Sequence, residues 1–359
     1  MKITYLFGAG ASAGSKGDKL PIVSNMTGRL VNFRDYVRTK YKVSPDWLGN
    51  ETVRQLRANA STELASELTE LIDALVEIRE QELIPKIASV DTYAKQLLIR
   101  GDTESKSKLE KLKRVLILFF AFEQKVVGND LRYDSFFASI IKDSSRELPD
   151  INIVSWNYDL QFELAYSKYL SGNFEPDVLT QIQKSLGVVT KRILPRNLPW
   201  PNQPQSGFSI YKLNGSTSFY NSEGVTLIPW NHMGGTDQQV DCILDYYNMA
   251  TQRSAHPIYP SLSFAWEKEK YETEINQIAA DAIKETQVLV IIGYSFPFFN
   301  RAIDQSVLKS MKPYKVYIQD KYPDRILSRF KGAYGYSHQV EYVTIDDIYQ
   351  FALPDELTI

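Results

Sequence analysis

The first candidate functional residues lie at the start of the chain. A short apolar run leads directly into the sequence GAGASAGS at 8–15. Glycines and small residues after a strand let the backbone turn tightly and approach an anionic ligand, whose oxygens the amides of a following helix can hold. Gly8, Gly10 and Ala13 fit the G-x-G-x-x-G/A dinucleotide fingerprint, whereas Gly14 is followed by Ser-Lys and not by the Lys-Ser/Thr of a P-loop. The chain therefore opens on a predicted nucleotide-binding turn.

Later strand signals are short, apolar and rich in β-branched residues. They lie at Ile151–Ser155, 209–213, Val288–Ile292 and Lys315–Gln319. Three of the four lead towards helical sequence, which is typical of strands buried on both faces of a parallel sheet. We also predict a hairpin over 223–230 and a last edge strand over 340–345. Segments 172–207 and 231–260 are rich in Pro, Asn, Gln and Gly and are predicted to be long loops.

The stretch from 24 to 137 has a helical pattern without an obvious strand signal. Leu64, Leu68, Leu71 and Leu75 recur at helical spacing, and the apolar run at 115–122 is too short to span a bilayer and is predicted to be a buried helix. We predict an α/β fold with a Rossmann-like parallel sheet and a helical insertion over 24–137 after the first strand. Residues 138–359 would form the remainder of the Rossmann-like core.

Each predicted parallel strand is followed by polar or glycine residues. The residues concerned are GAGAS at 8–12, Asn157 and Asp159 in the sequence WNYD, Asn214-Gly215-Ser216, Gly293 with Ser295, and Asp320. The carboxyl ends of parallel strands meet at one edge of a sheet, where ligands bind in open α/β folds. The sequence therefore predicts a polar ligand site built from all of these turns.

Together these motifs resemble the sirtuin-like domains of bacterial defence systems. The resemblance rests on FGAGAS with a following Leu20-Pro21, then WNYD, KLNGS and IIGYSF, and spans nearly the whole chain. Such domains are relatives of the NAD-dependent deacetylases that lack the zinc ribbon, and many cleave NAD in anti-phage defence. The resemblance implies a single sirtuin-like domain over 1–359 that releases nicotinamide from NAD.

The resemblance also implies roles for individual residues. Gly8, Ala9, Gly10, Ala11 and Ser12 would lie near the diphosphate, Gly293 and Ser295 under the ADP-ribose, and Asp320 near the adenosine ribose. Asn157 would contact the nicotinamide-side ribose and place a water near its anomeric carbon. Asp159 would hold neighbouring polar groups or receive ribose hydroxyls. Such a site must hold the ribose in place and favour the charge that develops on it.

Asn214 departs from the pattern of the family, whose motif is usually Lys-Leu-His-Gly-Ser with the histidine as general base. An amide cannot accept a proton near neutral pH, and loss of a general base lowers rates on the order of 10²–10⁴-fold. Three interpretations stay open: a weak or inactive NAD-binding relative, a histidine replaced to make a toxic enzyme tractable, or a base supplied elsewhere. His232 and His256 are the loop histidines considered for that last role, and a surface position is expected for both. We expect an asparagine at the catalytic position of an otherwise intact NAD site.

Composition limits the other classes of function. The net charge of −2 gives no general attraction to nucleic acid or membrane, and a single cysteine, Cys242, can form neither an internal disulfide nor a zinc ribbon. We therefore expect a cytoplasmic protein without a bound metal. An NAD(P) oxidoreductase would carry an acidic residue at the end of a second strand about 20 residues past the glycines, whereas Asp35 lies in helical sequence.

A toxic NADase must be held inactive until it is needed. Little sequence follows the last predicted strand, so we expect no fused sensor. The resemblance implies a homo-oligomer or a separate partner such as a HerA-type ATPase or an Argonaute-like protein. The alternative function is a non-catalytic NAD or ADP-ribose sensor that controls an assembly.

Overall fold

The computed structural model describes residues 1–43, 51–79, 82–142, 147–170, 176–191, 207–222, 225–229, 236–251, 256–267, 275–309, 311–336 and 339–357. The chain divides into two compact units. Unit one comprises Met1–Leu20, Asn129–Ser216 and Ser263–Ile359, and unit two comprises Pro21–Gly128 and Thr217–Leu262. Residues 129–137 of the expected insertion thus belong to unit one, and Thr217–Leu262 group with the helices of unit two.

In chain order the described strands are β1 (Ile3–Phe7), β2 (Val76–Arg79), β3 (Glu82–Pro85), β4 (Ile151–Ser155), β5 (Val188–Val189), β6 (Ser209–Lys212), β7 (Gly215–Tyr220), β8 (Thr226–Leu227), β9 (Tyr259–Leu262), β10 (Val288–Ile292), β11 (Lys315–Gln319) and β12 (Glu341–Ile345). The described α-helices are α1 (Met26–Val43), α2 (Glu51–Leu75), α3 (Val90–Arg100), α4 (Thr103–Val127), α5 (Leu131–Ile140), α6 (Gln161–Ser167), α7 (Pro176–Ser185), α8 (Thr236–Ala250), α9 (Ile275–Ile283), α10 (Arg301–Leu308) and α11 (Pro323–Tyr334).

Unit one is built on a seven-stranded, all-parallel sheet in the order β12-β11-β10-β1-β4-β6-β5. The chain adds strands on one side of β1 first and returns to add β10, β11 and β12 on the other side. This confirms the predicted Rossmann-like α/β fold and the predicted edge strand at its end. The order of the strands reverses beside β1, which is the place where open parallel sheets form their ligand crevice.

Both faces of this sheet are buried along the central strands β1, β4 and β10, whose residues are all buried and mostly apolar, as predicted. Alternate residues of a strand point to opposite faces, so Tyr5 and Phe7 of β1 join one core and Leu6 joins the other. The first core is covered by α5, α6 and α7, with an aromatic cluster around Tyr133, Phe162 and Phe351. The second core is covered by α9, α10 and α11.

Unit two is mainly helical, and its helices pack through apolar faces. Leu64, Leu68, Leu71 and Leu75 are all buried on α2, and the apolar part of α4 is buried as predicted. Arg57 on α2 binds Asp241 and Asp245 on α8 through its guanidinium at 3.0 and 2.6 Å. No helix in the described part of the chain has the length and apolarity needed to cross a membrane.

Several local predictions were wrong. Residues 24–137 contain an antiparallel hairpin of β2 and β3, although no strand was expected there. The predicted loop 172–207 contains α7 and the edge strand β5, and the predicted loop 231–260 contains α8. β5 gains its partner from β6, which follows it by some 20 residues, so its signal is not local. The predicted hairpin over 223–230 is met only in part: its described residues contain β8, whose antiparallel partner β7 lies before that range.

Candidate functional site

The carboxyl ends of the parallel strands lie side by side in unit one. Phe7 at the end of β1 is in register with Ser155 of β4 and Ile292 of β10, and Ile292 is in register with Gln319 of β11. Ser155 in turn pairs with Lys212 of β6. The turns that follow these five strands therefore begin at the same edge of the sheet. We call this the carboxyl edge, and every predicted site residue follows one of its strands.

The glycine turn after β1 differs from the predicted phosphate cradle. The chain forms a four-residue 3-10 helix, Ala9–Ser12, and residues 13–25 contain no α-helix, so no α-helix directs its amides at this point. The amides of Gly8, Gly10 and Ala11 already donate to the carbonyls of Ile292, Gly293 and Gly8. Ligand contact through this turn is thus left to the exposed Ala9 and the half-buried Gly10.

The glycines are required by the close approach of two backbones. A Cβ on Gly8 would lie 2.6 Å from the carbonyl oxygen of Gly293, and one on Gly10 would lie 3.0 Å from it. Gly293 has a φ of +61°, and a Cβ there would lie 2.3 Å from the Ala11 nitrogen. The fingerprint glycines therefore let the turn after β1 pack against the turn after β10.

Asn157 joins the WNYD turn to the glycine turn. Its Nδ2 donates to the Gly8 carbonyl at 2.9 Å and to Ser12 Oγ at 3.1 Å. Its own amide donates to Ser155 Oγ at 3.1 Å, which fixes the backbone at the end of β4. The structure thus brings together two of the motifs that the sequence placed at one site.

Ser12 and Asp159 belong to a buried polar cluster. Ser12 Oγ lies 2.7 Å from the hydroxyl of Tyr133 on α5. Asp159 accepts the amide of Gln161, the first residue of α6, at 3.1 Å. Burial raises the pKa of the Asp159 carboxyl above its ordinary value, although the nearby Lys212 ammonium and the Ser12 hydroxyl act in the opposite direction.

Asn214 is held by backbone groups at both ends of its amide. Nδ2 donates to the Trp156 carbonyl at 2.9 Å, and Oδ1 accepts the Ala265 amide at 3.0 Å. The backbone carbonyl of Asn214 accepts the Ser263 amide at 3.1 Å. The side chain is buried and links the WNYD turn to the segment after β9. It cannot act as a general base, and its polar atoms already have partners.

Ser295 and Asp320 lie at the outer part of the edge. Ser295 is exposed, and its carbonyl accepts Arg329 Nη1 of α11 at 2.8 Å. Asp320 accepts the Tyr322 amide at 2.9 Å and so stabilises its own turn after β11. The exposed Arg329 adds a positive charge beside the turn that follows β10.

Sequence reasoning missed three polar groups that support this edge. Lys212 Nζ donates to Glu163 Oε1 at 2.6 Å and to the Asp159 carbonyl at 2.7 Å, and the ion pair is fully buried. Arg132 Nη2 donates to the Ala11 carbonyl at 2.8 Å. The third group is the carboxyl of Asp304, which binds Trp156 and Tyr294. The Lys of KLNGS was the only available signal, because a charged residue inside an apolar strand needs a buried partner.

The remaining candidates lie elsewhere. His256 is exposed in unit two, and His232 lies outside the described residues. Asp35 is in α1, as expected from its helical sequence. Within the described ranges, no three or more His, Cys, Asp or Glu side chains are grouped so that they could hold a metal ion.

Comparisons with known proteins do not assign the chain to a family. No protein-family model matches the sequence, and a search of the curated proteins finds no significant match.

Proposed function

We propose that unit one binds NAD at the carboxyl edge and cleaves the bond between nicotinamide and ribose. The observation that carries the proposal is the pair of hydrogen bonds from Asn157 to Gly8 and Ser12. They hold the WNYD turn on the glycine turn beside β1, where the strand order reverses. Motif identity and fold position thus support the same ligand site.

The surface of this edge suits an elongated anionic ligand. Ala9 is exposed and Gly10 is half-buried, and neither carries a side chain larger than a methyl group, so a ligand could approach this backbone closely. Arg329, fixed by its bond to the Ser295 carbonyl, would offset the charge of the diphosphate. Asp320 would accept a hydroxyl of the adenosine ribose. In this arrangement the diphosphate would contact the turns after β1 and β10, and the adenosine ribose would contact the turn after β11.

The chemistry would take place near Asn157. Both hydrogen bonds described for its side-chain amide use Nδ2, which leaves Oδ1 to accept from a ribose hydroxyl or a water. The bond to nicotinamide breaks with its electron pair on the departing pyridine nitrogen, and water then adds to the ribose cation and releases one proton to the solvent. Because Asn214 cannot take the proton of that water, we expect slow turnover.

One observation favours a second function, a non-catalytic NAD or ADP-ribose sensor. Both ends of the Asn214 amide are bonded to backbone, so this position acts as a link between turns. A site that holds the ligand but has no base would bind NAD without consuming it.

Calorimetric titration with NAD and a nicotinamide-release assay test both functions. We expect saturable NAD binding, with slow release of nicotinamide for the enzyme and none for the sensor. Asn157→Ala should abolish binding, whereas Thr4→Val, which removes a buried Thr4–Thr286 contact of 2.6 Å at the other end of β1, should keep it. A chain that binds neither NAD nor ADP-ribose would overturn both proposals.

We further propose a role in anti-phage defence, with control by self-assembly or by a separate partner such as a HerA-type ATPase or an Argonaute-like protein. Light scattering during size-exclusion chromatography, with and without NAD, tests the first form of control. A monomer under every condition, with no protein that co-purifies, would count against this part.

A further inference from the structure

Asp304 on α10 is a buried carboxyl with three donors around it. Only 2% of the residue is exposed. Trp156 Nε1 donates to Oδ1 at 3.1 Å, and the Tyr294 hydroxyl lies 3.0 and 2.9 Å from Oδ1 and Oδ2. The Tyr334 hydroxyl donates to Oδ2 at 3.2 Å. A single carboxyl thus holds three aromatic side chains from three parts of unit one.

Two of these side chains belong to the turns of the carboxyl edge. Trp156 directly precedes Asn157, and Tyr294 lies between Gly293 and Ser295. Their rings stack with centroids 5.7 Å apart and planes at 10°. Asp304 therefore links the turn after β4 to the turn after β10, and both turns contact the glycine turn.

The turn after β10 also carries backbone strain. Gly293 has a φ of +61°, which glycine adopts freely, whereas Phe296 has a φ of +49°, in a region that aromatic residues rarely adopt. Asn300 Nδ2 donates to the Tyr294 hydroxyl at 3.2 Å, so the far side of the turn is tied to the same cluster. Strained backbone persists where surrounding contacts determine it, and such places are frequently functional.

The carboxyl is held without a cation among its described partners. Burial raises the pKa of Asp304 to about 7, whereas the Tyr294, Tyr334 and Trp156 donors act to lower it. Arg301, on the same helix as Asp304, acts to lower the pKa of the Tyr334 hydroxyl. The one ionisable residue of the adjacent α9 is Asp281, whose carboxylate accepts a hydrogen bond from Gln277 on the exposed side. A buried carboxyl of this kind, bonded to the turns of a candidate site, is itself a candidate for function.

We propose that Asp304 is a positioning residue, which holds Trp156 and Tyr294 so that Asn157 and the turn after β10 keep the separation that NAD binding needs. This proposal rests on the proposed function of the carboxyl edge. Asp304 contacts no ligand in this scheme and acts through the two aromatic side chains.

The experiment is calorimetric titration of the full chain with NAD across about pH 6–8. Asp304→Asn keeps the shape and removes the charge, and Tyr334→Phe removes one donor and leaves the other two. A control is Glu356→Gln, which removes a carboxylate that binds Tyr317 and Lys315 at the other end of β11. At about pH 8, where the Asp304 carboxyl is mostly ionised, hydrogen bonds to charged groups predict NAD affinity at least about tenfold weaker for Asp304→Asn, with a smaller loss for Tyr334→Phe.

A second measurement separates positioning from general stability. The indole N–H signal of Trp156, assigned by its absence in Trp156→Phe, should move with pH in the wild-type chain and not in Asp304→Asn. The pH dependence of NAD affinity should likewise flatten in that variant, while Glu356→Gln keeps the wild-type profile. If the wild-type chain binds NAD and Asp304→Asn binds it equally well, the role of Asp304 is wrong and the proposed function stands. If the wild-type chain does not bind NAD, both proposals fail.

Discussion

Asn157 donates from Nδ2 to the Gly8 carbonyl at 2.9 Å, so two residues 149 positions apart share one hydrogen bond at the carboxyl edge. The same nitrogen donates to Ser12 Oγ. The Asn157 side chain therefore fixes the position of the WNYD turn relative to the glycine turn.

Replacement of this amide by a carboxyl should destabilise the fold. In Asn157→Asp the donor that faces the Gly8 carbonyl becomes an acceptor, and we expect the free energy of unfolding to fall by at least about 2 kcal/mol. Urea denaturation at about pH 8 measures the loss. At low pH the introduced carboxyl regains an O–H donor, so the deficit should shrink. Equal stability of the two chains at pH 8 would show that the hydrogen bond is not formed.

A methyl group on Gly8 should have a larger effect than one on an open glycine. Gly8→Ala places Cβ 2.6 Å from Gly293 and Tyr294 backbone atoms, and overpacking of this kind lowers stability by about 1–3 kcal/mol. The matched control is Gly332→Ala in α11, where a Cβ meets nothing within 4 Å. That change should stabilise the chain by up to about 1 kcal/mol, since alanine favours helix. Thermal melting of both variants distinguishes these signs, and a neutral Gly8→Ala would contradict the close approach.

Asn214→His tests the position of the missing base. If NAD lies at the carboxyl edge, the imidazole should raise nicotinamide release, with an upper range on the order of 10²–10⁴-fold. Stability should fall, because the Trp156 carbonyl and the Ala265 amide lose the amide that joins them. Asn214→Ala is the control, since it breaks the same two bonds and supplies no base. Histidine that adds no activity over alanine would show that this position is not catalytic.

Lys212 and Glu163 should stabilise the fold only when both are present, because each neutralises the buried charge of the other. Lys212→Met leaves the Glu163 carboxylate buried without its cation, which lowers the free energy of unfolding by about 3–5 kcal/mol. Adding Glu163→Gln removes the stranded charge and should recover part of that loss. Urea denaturation of the single and double variants provides the comparison. A double variant less stable than Lys212→Met would contradict the pairing.

Asp304 should make the stability of the fold depend on pH. Its folded pKa is about 7 and its ordinary value is 3.8, so between these values the folded chain keeps a proton that the unfolded chain has lost. The free energy of unfolding should therefore fall as pH rises from about 4 to about 7, and the change is on the order of 4 kcal/mol. Urea denaturation beside Asp304→Asn, which lacks this titration, isolates the contribution. If the free energy of unfolding of the wild-type chain, relative to that of Asp304→Asn, rises with pH, the pKa of Asp304 is lowered by folding and the prediction is wrong.

The central sheet could be predicted because its signals are local. Runs such as Val288–Ile292 are apolar at every position, and this requires burial on both faces. The hairpin of β2 and β3 was missed because it follows α2 without a break and its residues are largely exposed. The helix α8 was missed because its sequence was interpreted as part of a polar loop. Its pairing with α2 through Arg57 is a long-range contact that sequence spacing does not reveal.

The sequence was sufficient to predict which motifs lie at the carboxyl edge, but not which hydrogen bonds their residues form. Strand ends placed Gly8, Asn157 and Gly293 at one edge, and the structure joins them. The glycine fingerprint suggested a phosphate cradle, but these glycines serve backbone packing and their amides are used within the fold. Asp304 carries no sequence signal, because it is one aspartate in a short helix and its partners come from distant segments.

A crystal structure of the chain with NAD shows directly whether the dinucleotide binds at the carboxyl edge. We expect it across the ends of β1 and β10, in contact with Gly10 and with Oδ1 of Asn157. NAD bound away from these residues, or no NAD at a saturating concentration, would contradict this expectation.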